Sequence, residues 1–262
     1  MSFVMKTETN VTADEVRGGI FSLLIPPLMD PETIAKISIV AGGLAGLVMN
    51  VAPRYVCKLH CFSQKEVKEQ VNQRAVHVVA LVGAGELAVA LLFYCLLFEE
   101  STILKAIQIF YAFSVYNQIR IIAEENFVVH SSYYASVALS AFLAYATTFT
   151  EQVATTAVQV SAVFWISQGL FFVLASDTTY KSWKKETENT QDNDWTPMSV
   201  TMVRYFGFLL ISAAACQIIL TNGGTVMQAV ACWYLGTGAW KLTALVRGEL
   251  QCPVFGLEGP SY

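Results

Sequence analysis

The stretch AVHVVALVGAGELAVALLFYCLLF occupies residues 75–98 and contains one acid, Glu86, and one histidine, His77. A bilayer crossing needs about 20 predominantly apolar residues at 1.5 Å rise each, so this run is long enough to span. A helix apolar all round is either the core of a large soluble protein or a membrane span. Composition decides between them. The 262 residues are 55% hydrophobic and only 14% charged, and the mean hydropathy is +0.50. A soluble domain carries about 25% charged residues. The run is therefore read as a membrane helix, and the rest of the chain is read outward from it.

Six further stretches have the same character, at 34–53, 102–122, 128–149, 154–176, 199–220 and 226–246. The run from Phe127 to Ser176 has a polar interruption at Thr150, Glu151 and Gln152. A single helix of that length would measure about 75 Å, against a bilayer of about 40–45 Å with its headgroups, so the chain must turn near Glu151. Glu99, Glu100 and Ser101 divide the preceding run in the same way, with Ser101 as the expected N-cap. Asp30-Pro31-Glu32 and Thr196-Pro197 are cap-then-proline starts, and Ser63 to Glu66 is a capping box. The expected fold class is all-α, a polytopic integral membrane protein with seven transmembrane helices. The first 17 residues are polar and mix Glu8, Asp14 and Glu15 with Lys6 and Arg17, which suits neither a signal peptide nor a transit peptide. Residues 18–29, GGIFSLLIPPLM, are too short to span and are read as an interfacial segment.

Charge sets the orientation. Of the 16 Lys and Arg, all but Lys6, Arg17, Lys36 and Lys105 fall on or near one side of the seven spans. The positive-inside rule makes that side cytoplasmic, with the C-terminus on it and the N-terminus extracellular or lumenal. Asn10-Val11-Thr12 is a glycosylation candidate, and Asn10 lies on the side where that modification occurs.

TILKAIQIFYAFS (102–114) and TVMQAVACWYLGT (225–237) share Thr, Ala and Tyr at an offset of 123, which is 225 minus 102. The same offset sets Ser38, Gly46, Leu47, Ala52 and Lys58 on Ser161, Gly169, Leu170, Ala175 and Lys181. The second span matches the sixth weakly, through Leu87 with Leu210, Ala90 with Ala213 and Leu97 with Leu220. One explanation is a parallel 3+1+3 internal repeat: a polar and interfacial segment (1–33), a three-helix unit (34–122), a linker helix (123–153), a second unit (154–249) and a tail (250–262). The other is chance matching between apolar helices built from few residue types. The arrangement resembles the three-one-three plan of a sugar-carrier family, in architecture alone, since the Pro-Gln signature of that family is absent.

Glu86 is the leading candidate for chemistry. A carboxylate near the centre of a span is costly unless it is paired, protonated or facing water. Its candidate partners are Lys241, Arg120 and Arg204, and the cluster is either a proton- or cation-linked site or structural glue. Gln108, Asn117, Gln118, Gln159, Gln168 and Gln217 line a polar path or join helices by hydrogen bonds. Small residues at spacing four make two seams, Ser38-Gly42-Gly46 ending at Asn50, and Ser132-Ser136-Ser140-Ala144. Such seams pack helices within a chain or against a membrane-protein partner or second copy. Lys241 beside Trp240 is read as snorkelling to the interface rather than as a Schiff-base lysine. His77 and His130 are read as interfacial rather than as haem ligands. Cys57, His60 and Cys61 fall short of the four ligands of a structural zinc site. No cofactor, metal, catalytic motif or nucleic-acid partner is expected; the lipid bilayer is. Two functions remain: a non-catalytic subunit or scaffold of a membrane assembly, or a small-solute or ion/proton-linked transporter with its site near Glu86.

Overall fold

The computed structural model describes residues 30–59, 73–123, 131–182 and 197–247, and all the regular structure among them is helical. The helices are α1 (Pro31–Val51), α2 (Pro53–Leu59), α3 (Gln73–Leu97), α4 (Ile103–Ala123), α5 (Ser131–Ala146), α6 (Glu151–Leu174), α7 (Ser176–Ser182), α8 (Pro197–Thr221) and α9 (Val226–Val246). A helix stands at each of the seven apolar stretches, and α2 and α7 are short additions after α1 and α6. Asn10, residues 18–29, Ser63–Glu66, His60, Cys61, His130, Thr196 and the side chains of Cys57 and Ser132 lie outside the described residues.

Local chemistry explains the starts and stops. Asp30 caps α1, its carboxylate accepting from the Glu32 N–H at 2.9 Å and the Thr33 N–H at 3.2 Å. The Thr33 hydroxyl donates to it as well and, with those N–H groups, holds the exposed carboxyl below its ordinary value of 3.8. For α4 the cap is Thr102 rather than Ser101, because the Lys105 N–H reaches the Thr102 hydroxyl at 3.4 Å. Thr225 caps α9 in a full capping box with Gln228. Thr147–Thr150 make the turn between α5 and α6, so Glu151 and Gln152 begin a helix instead of breaking one. There Glu151 sits favourably on the positive end of the helix dipole. After α1 the backbone breaks at Ala52 (φ −125°, ψ 50°), where the following Pro53 disfavours helical geometry. α6 breaks the same way at Ala175 (φ −118°, ψ 36°), with no proline after it.

Among the described residues four helices are long and apolar enough to cross a membrane: α1, α3 from Val76, α6, and α8 from Val200. The apolar part of α5, Tyr133–Ala146, is shorter. α4 is diluted by Lys105, Gln108, Asn117, Gln118 and Arg120, and α9 by Gln228 and Lys241. The surface agrees with a bilayer. Val51, Leu174, Leu235 and Val246 are all more than 70% exposed, whereas Glu86, Asn117, Arg204 and Gln217 are buried. Hydrocarbon surroundings favour this distribution, since polar side chains in membranes face the bundle interior.

α3 and α8 pack against each other in the middle of the bundle. α1 lies on α3 and α6 on α8; α4 also lies on α3, α9 on α8, and α5 on α4. Two of these pairs meet backbone to backbone. A Cβ added at Gly83 would stand 2.7 Å from the Gly46 carbonyl oxygen, and one at Gly207 would stand 2.6 Å from that of Gly169. Only glycine permits such approach. The first small-residue seam is split by this geometry, because Gly46 is buried against α3 while nothing lies within 4 Å of a Cβ at Gly42.

Matching bounds recur along the chain. Adding 123 to the ends of α2 and α4 gives the ends of α7 and α9, and adding 124 to those of α3 gives those of α8. The extra residue lies between α7 and α8, where 14 residues (183–196) stand against 13 (60–72) between α2 and α3. That slip explains why the second and sixth spans match weakly when compared without a gap.

Candidate functional site

The four suspected groups are held at different places. Glu86 is buried on α3, and its carboxylate accepts a hydrogen bond from the Tyr205 hydroxyl on α8. The Tyr205 ring stacks on Trp240 of α9 at a centroid separation of 4.0 Å. The Trp240 indole N–H in turn donates to the Thr201 carbonyl at 3.3 Å. Lys241 is exposed, but its charge acts on the Glu86 carboxylate. Arg120 donates to the Asn50 side-chain oxygen at 2.7 Å, and Arg204 to the Ser176 hydroxyl at 3.2 Å. Of the three cations only Lys241 bears on Glu86 in these contacts. Sequence reasoning missed Tyr205, which reads as an apolar filler within a span.

The other face of α3 borders a cavity of about 440 Å³, walled by α3 to α8 and not reached by Glu86. That is within the usual range of small-molecule pockets, about 300–1,000 Å³. Asn117, Gln118, Gln168, Gln217, Ser136 and Ser140 bring polar groups to it. Tyr111, Phe164, Trp165, Phe172 and Phe206 supply ring surfaces. The walls hold no charged side chain among the described residues.

The amides of the sequence therefore separate by role. Gln108 donates to the Ala144 carbonyl at 3.3 Å, joining α4 to α5, and Gln159 to the Asn222 side chain at 3.1 Å, tying α6 to the turn after α8. Gln217 accepts from the Tyr111 hydroxyl at 2.6 Å, and both residues stand in the cavity wall. Asn117 bonds within its own helix, to the Phe113 carbonyl at 2.9 Å. Gln118 donates to Ser140 at 3.3 Å. The side-chain oxygens of Gln118 and Gln168 are buried and accept no hydrogen bond among the described residues. Buried acceptors without donors are rare and costly, so these two amides carry strain at the cavity's edge.

Compared with protein-family models, curated proteins and solved structures, the chain matches none of them, so its reading rests on this geometry.

Proposed function

We propose that the chain is a seven-span membrane carrier, made of two duplicated three-helix units joined by α5, with its solute site in the cavity. The observation that supports this reading is a space of about 440 Å³ with amide, hydroxyl and aromatic walls inside a bundle whose outer surface is apolar. Interiors normally close-pack, and a space of this size among amides and rings favours a bound solute. The site moves away from Glu86, which is shut against Tyr205, to the region of Asn117, Gln118 and Gln168. In this reading Glu86 is structural glue.

The duplication is supported by the recurring helix bounds and by the paired glycine contacts. Gly46 and Gly169 differ by 123, while Gly83 and Gly207 differ by 124, as their helices do. The units are 34–122 and 154–249, with 123–153 as linker and 1–33 and 250–262 as flanks. The lysine and arginine distribution supports a cytoplasmic C-terminus. With that topology Asn10 carries glycan in a secretory-pathway membrane, read as a mobility shift on glycosidase treatment. A cytosolic Asn10 in a protease-protection assay would refute the orientation.

A membrane-assembly subunit is the second reading, and Gly42 standing open on α1 favours it. Reconstitution separates the two. The carrier reading expects purified chain in liposomes to speed entry of labelled neutral solutes, and Gln168→Leu to slow it severalfold. Absence of any accelerated entry, together with a stoichiometric partner in native mass spectra, would replace the carrier by the subunit.

A further inference from the structure

We infer that Cys216 of α8 and Cys232 of α9 are a redox pair, which a hydroperoxide closes into a disulfide that ties the two helices together. The inference goes beyond the carrier reading and shares with it only the membrane topology.

Within a span a cysteine ordinarily serves as a small apolar filler. These two differ because they face each other. α8 and α9 run antiparallel on either side of the short turn at 222–225. They approach closely at Gly236, where an added Cβ would stand 2.9 Å from the Ser212 Cβ. Four residues on from Ser212 is Cys216, and four before Gly236 is Cys232. The pair therefore lies one helical turn along the same seam. The Cys216 thiol donates to the Ala229 carbonyl of α9 at 3.1 Å. It also meets the Cys232 thiol and the Trp233 N–H. A disulfide needs Cβ atoms about 3.5–4.5 Å apart, and helices this close place facing residues near that separation.

Burial sets the order of events. Cys216 is fully buried and Cys232 only half-buried, so a hydroperoxide reaches Cys232 first. The Cys232 sulfur attacks the O–O bond and becomes a sulfenic acid, and the peroxide leaves as an alcohol with the thiol proton. The Cys216 sulfur then displaces the hydroxyl from that sulfur, and its own proton leaves with the hydroxyl as water. The thiols lose the two electrons that the peroxide gains. A dithiol reverses the closure by exchange. The pair lies about 8–10 Å inside the turn between α8 and α9, at 1.5 Å per residue. In the proposed topology that turn is on the non-cytoplasmic side, where disulfides persist.

The chain suits a direct test. No Lys or Arg stands between Arg204 and Lys241, so one tryptic peptide, 205–241, carries both cysteines and no other. The purified full-length chain in lipid nanodiscs is treated with tert-butyl hydroperoxide, denatured, labelled with N-ethylmaleimide, digested and weighed. Without peroxide the peptide should take two labels. After peroxide it should take none and weigh two hydrogens less than the unlabelled dithiol form, and dithiothreitol should restore both labels. Cys216→Ala should leave Cys232 as a sulfenic acid that dimedone captures. Cys232→Ala should leave Cys216 unoxidised. Two labels on 205–241 after peroxide, a sulfinic or sulfonic acid at Cys232 of the parent, or a link between two copies of the chain would overturn the inference. The glycosidase shift at Asn10 reads topology separately. Its failure would leave the thiol pair standing and remove only its oxidising surroundings.

Discussion

Gly207→Val should cost the protein its stable folded form. The new Cβ would meet the Gly169 carbonyl oxygen at 2.6 Å, the Val173 side chain at 2.9 Å and the Phe172 Cβ at 3.0 Å. Two of these neighbours are backbone or bound close to it, so α6 and α8 must separate along their contact. Overpacking of this kind costs about 1–3 kcal/mol and occasionally more, and here it falls on one of the main interfaces of a bundle. The expected readout is a large fall in unfolding midpoint, or loss of the monodisperse peak when detergent extracts are chromatographed. Gly42→Ala is the control. Nothing lies within 4 Å of its Cβ, and alanine is a better helix former by about 1 kcal/mol, so the midpoint should hold or rise. If Gly42→Ala proved the more damaging change, the assigned packing of α1 and α8 would be wrong.

Tyr205→Ala is expected to be nearly as severe. It removes a buried ring from its stack on Trp240 and leaves the Glu86 carboxyl without its hydroxyl partner. Deleting a large buried side chain typically costs about 3–5 kcal/mol. Tyr205→Phe isolates the hydroxyl and should cost about 1–3 kcal/mol, the penalty of stranding a buried polar group. The repeat suggests the remedy, because leucine occupies the position equivalent to Glu86 in the second unit. Glu86→Leu should therefore harm the parent protein but be nearly neutral in the Tyr205→Phe background. A double-mutant cycle reads the difference as a coupling of about 0.5–3 kcal/mol. Strict additivity would dissolve the Glu86–Tyr205 pair as an energetic unit.

Helix positions were legible because the apolar runs are long and several are bounded by residues with a defined end chemistry, such as Asp30 and Pro31 at the start of α1. The Glu86 environment was legible only in outline. Composition says that a carboxyl in a span needs a partner, but the partner, Tyr205, lies 119 residues away. Its hydroxyl gives no sequence signal, whereas Lys241, Arg120 and Arg204 attract attention by charge alone. The slip of one residue between the second and sixth spans was hidden because a change in loop length leaves no trace in helix composition. The amides were visible as a group, but which of them border a cavity depends on how α3, α4, α6 and α8 rotate against each other. For α6 and α8 that rotation follows from the contact of Gly169 with Gly207, residues on separate helices.

α5 has no counterpart among the recurring helices. In the seven-span topology three crossings leave the chain on the wrong side of the bilayer to begin a second unit of the same orientation. A fourth crossing returns it. In the proposed topology α5 is a return stroke, called for by parity rather than by packing. Ser136 and Ser140 of that same helix stand in the cavity wall. A segment that the proposed topology calls on only to restore direction thereby also walls the cavity, so under the proposed duplication the cavity owes part of its lining to a helix that neither unit contains.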